Sequence, residues 1–390
     1  MERHAPRLAK RATDIQPFHV MALLARARAL EASGRSIVHM EIGEPDFETA
    51  EPIIAAGRAA LAAGHTHYTP AVGLSQLREA IADYYHRRYG VNIDVDRVIV
   101  TPGASGALLL AVAALVDRGQ EVLMADPGYP CNRNFVRLVE GRTRLVATDA
   151  ASNYQLYAEH AADHWGDATV AALVASPANP TGSMLSHVQL GALYELAVQR
   201  RGTLIVDEIY HGLTYGIEAD TALSISDDIF VINSFSKYFG MTGWRLGWMV
   251  APRDYVPALD RLAQNLFLAA PTPAQWAALA AFAPETTAIL ESRREAFRER
   301  RDFLLPALRD IGFAIPVTPQ GAFYLYADCS RFTDDSFGFS RELLERAGVA
   351  ITPGIDFGQY RAERHVRFAY TTSLEQLRDG VERIRQFLSA

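Results

Sequence analysis

The chain has 390 residues, 49% of them hydrophobic and 21% charged, which suits a globular protein of about two or three domains. A formal net charge of -7 argues against nucleic acid as the main partner, since such a face needs concentrated positive charge. Two cysteines allow at most one disulfide, and no apolar run approaches the about 20 residues that span a bilayer, so no membrane is expected. The opening "MERHAPRLAKRATD" has no apolar signal segment, and the reading is of a cytoplasmic protein.

In chain order, the short cationic "RLAKRA" reads as a solvated helix start, followed by a helix over "PFHVMALLARARALEAS" and a turn-rich "EIGEPDF". From about residue 50 to 255, helical patterns alternate with apolar runs. Seven of these runs predict strands: "RVIVT" (97–101), "EVLMA" (121–125), "TRLVAT" (143–148), "VAALVAS" (170–176), "TLIVD" (203–207), "IFVINS" (229–234) and "LGWMVA" (246–251). Most are continuous rather than alternating, as strands buried on both faces require. These features predict an α/β fold with a mostly parallel sheet and helices on both faces. A long helix is expected from about 285 to 310, then strands in "GAFYLYADC" and "HVRFAY" and a closing helix over 374–388. The expected division is a large unit, 46–285, and a smaller α/β unit built from 1–45 with 286–390.

In open α/β sheets ligands bind beyond the carboxyl ends of the strands. The residues just past each strand are therefore the candidates for a site. After 97–101 come Ala104 and Ser105 among small residues opening a helix, whose free backbone N–H groups suit a phosphate. After 121–125 comes Tyr129, and after 170–176 comes Asn179, fixed between two prolines. Asp207 ends the next strand, with Tyr210 close behind; a carboxylate there is costly unless paired. Ser234, Ser236 and Lys237 come at and after the end of 229–234. The set suits an aromatic, phosphorylated, carbonyl-bearing ligand, a description that pyridoxal 5'-phosphate meets. Lysine is otherwise almost absent: of 38 cationic residues only Lys10 and Lys237 are lysines. Arginine is never deprotonated in a protein, whereas a lysine can be, and can then act as a nucleophile or base.

At this point the sequence resembles the class I/II aminotransferases, fold type I of the pyridoxal-phosphate enzymes, from about residue 15 to the end. "EIGEPDF", "HYTPAVGLSQLREAIADYY", "DPGYP", "SPANPTG", "VDEIY", "SFSKYFGMTGWRLGW", "PQGAFYLY" and "VRFAY" stand in family order. The resemblance implies transfer of an amino group from an L-amino acid to a 2-oxo acid by a ping-pong mechanism. It implies that Lys237 links covalently to the cofactor and shuttles a proton, which requires its pKa to fall below the free value of about 10.4. Asp207 is implied to pair with the pyridine nitrogen, Asn179 and Tyr210 to bond the ring oxygen O3', and Tyr129 to stack on the ring. Ala104, Ser105, Ser234, Ser236 and Arg245 are implied to hold the phosphate. Tyr68 is implied to reach the phosphate of a neighbouring subunit, making a homodimer with shared sites. Arg367, with the Gly43 backbone, is implied to clamp the substrate α-carboxylate.

No second arginine or lysine carries a motif for a substrate side-chain carboxylate, which counts against aspartate as preferred donor. Ile15, Phe18 and Val20 lie where the family lines its substrate pocket, and hint at apolar or aromatic side chains. The principal alternative on the same fold is a β-lyase cleaving C–S bonds. Ser234 to Lys237 also spells S-x-x-K, but no lysine stands further on for the K-T-G that acylating enzymes need. His160 and His164 have helical spacing without a third metal ligand and read as a solvated helix face.

Overall fold

A computed structural model of the chain describes residues 7–15 and 17–389. Twelve strands among the described residues, in chain order, are β1 (Val38–His39), β2 (Val98–Thr101), β3 (Glu121–Asp126), β4 (Arg142–Ala147), β5 (Thr169–Ala175), β6 (Thr203–Asp207), β7 (Phe230–Ser234), β8 (Gly247–Val250), β9 (Tyr324–Asp328), β10 (Val349–Ala350), β11 (Thr352–Pro353) and β12 (His365–Ala369). Seven of them form one sheet in the order β2-β8-β7-β6-β5-β3-β4. Every pairing in it is parallel except those of β8, which runs antiparallel to both neighbours. The seven expected strands are all present, within a residue or two of their expected ends.

Burial explains why they were readable. The strands β2, β7 and β8 are buried at every position, and β6 at all but its first. Edge strand β4 instead mixes exposed and covered positions; toward its carboxyl end Leu145 packs against one apolar cluster and Val146 joins the other. Two apolar clusters lie against the sheet. One includes Leu108, Val112, Ile205 and Ile232; the other includes Val206, Val231, Trp248 and Phe235. Neighbours along a strand thus point into different cores, as a period of two demands.

The connectivity creates the crevice. After β3 the chain steps out to edge strand β4, then returns to β5 on the other side of β3 and proceeds to β6 and β7. Such a reversal opens a gap beyond the carboxyl ends of the strands. Because β8 is antiparallel, its amino end meets the carboxyl ends of β2 and β7: Gly247 pairs with Thr101 and with Ser234. Residues just before β8 are thereby delivered to the same end as residues just after β7. A Cβ on Gly247 would sit 2.7 Å from the Ala104 backbone nitrogen, so only glycine lets the helix Gly103–Leu115 start this close to the sheet.

The smaller unit combines the two ends of the chain. β1 pairs in parallel with β10, and β11, β12 and β9 form an antiparallel sheet. Helices His19–Ala32, Pro284–Ile311 and Leu374–Ser389 accompany them. The long helix buries Leu290, Phe297, Leu304 and Leu308, near-heptad spacing along one stripe. Its Arg300 is buried and makes two bonds to Asp46, at 2.8 and 2.9 Å. The strand expected over "GAFYLYADC" begins only at Tyr324. Ala322 has a φ of 57° and donates its N–H to the Leu213 carbonyl, which breaks strand geometry there.

Candidate functional site

One cavity, of about 230 Å³, is lined by Gly43, Ala104, Ser105, Tyr129, Asn179, Asp207, Tyr210, Lys237 and Arg367, nine of the residues singled out in the sequence. A volume many times the about 10–15 Å³ that one buried water needs makes it a ligand site rather than a packing defect. Phe18 and Val20 also line it. Ser234, Ser236, Arg245, Tyr68 and Ile15 are not among its lining residues.

Lys237 comes off the carboxyl end of β7 and is largely buried. Its Nζ donates to the Gly43 carbonyl at 2.7 Å. Burial lowers its pKa to about 8; Glu44 opposes that fall, while Arg367 and Arg245 add to it. Asp207 ends β6. Burial raises its carboxyl to about 7, against a backbone bond from Ile209 at 3.1 Å and the charge of Lys237. No side-chain donor bonds Asp207 among the described residues. A buried carboxylate without a cationic partner is under pressure to take one or to hold a proton.

Tyr210, in the turn after β6, shares a hydrogen bond of 2.9 Å with Tyr324. Tyr129 precedes the helix Pro130–Leu138 and accepts a bond from the Cys131 thiol at 3.2 Å, which ties its ring down. Both cysteines are free thiols.

Below the lysine, the Ser234 hydroxyl donates to Ser236 at 3.0 Å. Both serines are buried. Arg245 precedes β8 with a φ of 53°, and its guanidinium lies against Gly103 at the start of the helix Gly103–Leu115. A Cβ on Gly103 would stand 2.6 Å from Arg245 Nη2. The missing side chain therefore leaves a cradle formed by a guanidinium and the unpaired N–H groups of a helix start, which attracts an anion.

Arg367, in the middle of β12, is buried. It donates from Nη1 to Asn179 Oδ1 at 3.0 Å and from Nη2 to the Glu41 carbonyl at 2.5 Å and Thr352 Oγ1 at 3.1 Å. Its guanidinium lies over the rings of Tyr324 and Phe357, 4.3 and 4.8 Å from their centroids. Its Nε is buried without a partner. An anchored guanidinium with a donor to spare suits a carboxylate.

Sequence reasoning missed several participants. The carbonyls of residues 40–43 form a row: Met40 accepts from Ala369 N–H, Glu41 from Arg367 and Thr352, Ile42 from Thr371, and Gly43 from Lys237. That row joins β12 to the lysine. Tyr324, within "PQGAFYLY", is a second such participant. It lies so close to Gly43 that a Cβ there would sit 1.9 Å from its hydroxyl. The row is anchored at its start by His39, which bonds Glu41 at 2.7 Å and Glu31 at 3.1 Å.

The His39–Glu41 pair makes a pH prediction. The hydrogen bond to Glu41, with its charge and the bond and charge of Glu31, raises His39 from 6.5 to about 9 against the opposing effect of burial. A raised pKa contributes stability that is complete below pH 6.5 and is lost as the pH climbs through about 9. Melting temperature, compared with that of Glu41→Gln, is expected to show an advantage for the natural protein that shrinks between these limits. A constant difference across them contradicts the pairing.

The Ala158–His164 helix carries the two spaced histidines, and His164 Nδ1 bonds the His160 carbonyl at 2.7 Å. No group of metal-binding side chains occurs among the described residues. No helix among them is long and apolar enough to cross a membrane.

The sequence profile "Aminotransferase class I and II" matches residues 35–384. The (5-formylfuran-3-yl)methyl phosphate transaminase of Methanocaldococcus jannaschii is 37% identical, over 98% of this chain and 100% of its own. The valine–pyruvate aminotransferase of Mycobacterium tuberculosis is 38% identical, over 98% of each. The crystal structure of an aminotransferase from Mycobacterium tuberculosis superimposes with a TM-score of 0.95 at 37% identity, covering 99% of this chain and 100% of that one. The chain therefore belongs to the class I and II aminotransferases, a family that uses pyridoxal phosphate. Between the two activities left open by the sequence, it is an aminotransferase.

The residues of the cavity fit that cofactor. A carboxyl raised to about 7 awaits a positive partner such as a pyridinium N–H. An amine lowered to about 8 can add to a carbonyl. Next to the cavity residues Ala104 and Ser105, the Gly103 and Arg245 cradle suits a phosphate.

Proposed function

We propose that this cavity binds pyridoxal 5'-phosphate and serves both halves of a ping-pong transamination. The observation that carries the reading is one cavity holding a lysine brought down to about 8, an aspartate brought up to about 7 and a buried guanidinium. Lys237 Nζ is the covalent attachment point and Asp207 the partner of the pyridine nitrogen. Asn179 and Tyr210 hold the ring oxygen O3', and Tyr129 covers the ring. Ala104, Ser105, Ser234, Ser236 and Arg245 hold the phosphate. When bound, the cofactor supplies a carbonyl carbon that takes up the amino group and a ring that withdraws electrons from the substrate Cα.

The chain's own side chains do the remaining work. Arg367, with the Gly43 backbone beside it, orients the α-carboxylate and so fixes which bond at Cα faces the lysine. Lys237 Nζ, held by the Gly43 carbonyl, would move a proton between the substrate Cα and the cofactor's carbonyl carbon, in one direction in the first half-reaction and in the reverse direction in the second. Burial and the positive charges of Arg367 and Arg245 bring that amine to half-deprotonation near pH 8. Asp207 holds positive charge on its partner through the whole cycle.

Tyr68 is 82% exposed in the single chain and Leu61 57%. Such apolar exposure on one stretch supports a homodimer in which Tyr68 completes the phosphate site of the other copy. Residues 46–285 form the cofactor-binding domain in this reading, and 1–45 with 286–390 the domain that covers it.

Borohydride reduction and then peptide mass analysis test the assignment, because the chain offers only two lysines. The expected result is a yellow protein that bleaches on reduction, with the reduced cofactor on Lys237. Cofactor on Lys10, or none, overturns the assignment.

A further inference from the structure

A second cavity, of about 250 Å³, lies beyond the carboxyl ends of β3 and β4, where residues that follow the large sheet meet residues of the smaller unit. Among the described residues it shares no lining residue with the first. Its volume is many times the about 10–15 Å³ that one buried water needs. The large unit contributes Asp149 and Tyr154, and the smaller unit Tyr326, Asp328, Arg361 and His365. Tyr154, Tyr326 and His365 are buried, at 7%, 4% and 6% exposure, and form its floor; Asp149 and Arg361 are exposed and form its rim.

The floor carries three polar groups without partners. His365 Nδ1 lies 2.8 Å from the Arg361 carbonyl. A carbonyl only accepts, so Nδ1 carries the proton and Nε2 of the neutral ring is left as an acceptor. The ring is fixed a second time by stacking on Tyr326, with 4.7 Å between centroids and 6° between planes. Neither Nε2 nor the hydroxyls of Tyr154 and Tyr326 bond any described residue. Buried polar groups ordinarily have partners, so three left open on one cavity ask for a polar occupant. The charges are unpaired as well. Arg361 makes no ion pair among the described residues, and its guanidinium lies over the Tyr360 ring, 5.2 Å from the centroid. Asp149 and Asp328 accept only backbone N–H groups, from Ala151 at 2.9 Å and Ser330 at 2.7 Å. All three charges reach Tyr154: burial first, then Asp328 and Asp149, push its hydroxyl pKa up, and Arg361 pulls it down. Tyr154 and Arg361 also have φ values of 56° and 52°, a conformation uncommon outside glycine and frequent at functional positions.

We propose that this second cavity is a regulatory site for a zwitterionic amino acid. Arg361 receives the carboxylate, Asp328 the ammonium group, and Tyr154 and His365 supply further hydrogen bonds. A simple anion would meet two carboxylates there and a simple cation a guanidinium, whereas a zwitterion answers both signs at once. The link to the first cavity is short. Tyr326 pairs with Arg367 across β9 and β12, and His365 stands two residues before Arg367 on the same face of β12. The Tyr326 ring meets that of Phe357 edge-on at 6.2 Å, and the Arg367 guanidinium lies over Phe357 at 4.8 Å. From the large unit, Asp126 accepts the N–H of Gln359 at 2.9 Å and of Tyr360 at 3.1 Å. Gly128, next to Tyr129, donates its N–H to the Phe357 carbonyl at 2.9 Å. A ligand that touches both units holds them in the arrangement that sets Arg367 against Asn179, and so favours binding of the substrate carboxylate. The regulatory half of the proposal rests on the proposed role of Arg367; the binding half does not.

The test uses the holoenzyme and three zwitterions whose secondary amine cannot be transferred: L-proline, sarcosine and N-methyl-L-phenylalanine. Calorimetry measures their binding, with propionate and propylamine as carriers of one charge each. We expect at least one of the three to bind with a Kd of about 1 mM or below, and the two singly charged probes about tenfold more weakly or less. Arg361→Gln and Asp328→Asn should each weaken that binding about tenfold or more, with turnover in the absence of the probe unchanged, because neither residue lines the first cavity. Asparagine can still accept the Ser330 N–H, which keeps the local fold. Binding by none of the three, or equal binding by the variants, overturns the site. Propionate binding as tightly as the zwitterions overturns the ligand class. Steady-state transamination is then measured with and without the probe that binds best. We expect it to lower KM for the amino donor about fivefold with kcat little changed, and to lose that effect in Arg361→Gln. Binding without a change in KM overturns the regulatory role. Absence of any transamination, with binding intact, sinks the reading of the first cavity and leaves the second site standing.

Discussion

Lys237→Arg is expected to abolish transamination while leaving the protein folded. Arginine keeps the positive charge and most of the length, and can still donate to the Gly43 carbonyl that Lys237 reaches at 2.7 Å. It cannot be deprotonated, so it can neither take the Cα proton nor bond the cofactor carbonyl. Loss of a positioned acid–base group costs about 10²- to 10⁴-fold, and loss of the covalent attachment adds to that, so we expect kcat to fall by at least about 10³-fold. Circular dichroism and the melting temperature should stay close to those of the natural protein. The variant should still retain cofactor noncovalently, released on desalting and no longer fixed by borohydride. Normal turnover by this variant would remove Lys237 from the mechanism.

Arg367→Lys should separate substrate binding from cofactor binding. The guanidinium is positioned by Asn179, the Glu41 carbonyl and Thr352, and stacked on Tyr324 and Phe357. Lysine retains the charge but loses the planar fork and the stacking. Breaking one side of a buried charge pair costs about 2–5 kcal/mol, which corresponds to about 30- to 5,000-fold in kcat/KM. The loss should appear for donor and acceptor alike, since both carry the same α-carboxylate. Borohydride labelling of Lys237 should persist. Unchanged KM values for both substrates would show that the carboxylate binds elsewhere.

The parts of this protein that were legible in its sequence share a physical cause. Buried parallel strands must be apolar along their whole length, so "TLIVD" and "IFVINS" announced β6 and β7, and their polar ends announced Asp207 and Lys237. Arg245 was placed by its neighbourhood in the chain, and an antiparallel β8 explains how it returns to the same end of the sheet. Contact between segments far apart in the chain could not be read. Asp356 caps a helix more than 330 residues away, and Tyr324 meets Gly43 and Tyr210 across long separations of its own. Backbone carbonyls carry no signature either, so the row at residues 40–43 stayed hidden although "EIGEPDF" marked its place. Tyr324 had one usable signal, its position inside "PQGAFYLY", and Asp356 had none.

The account stands on a cofactor that leaves each half-reaction changed and is restored by the next. The direct measurement is a spectrophotometric titration of the purified holoenzyme with one apolar amino acid and no acceptor, with 2-oxo acid and ammonia assayed in the same sample. The account predicts one equivalent of 2-oxo acid per chain, no ammonia, loss of the absorbance of the aldehyde form, and its return when a 2-oxo acid is added. Continuous release of 2-oxo acid and ammonia beyond one equivalent, or a protein that shows no such absorbance, would contradict it.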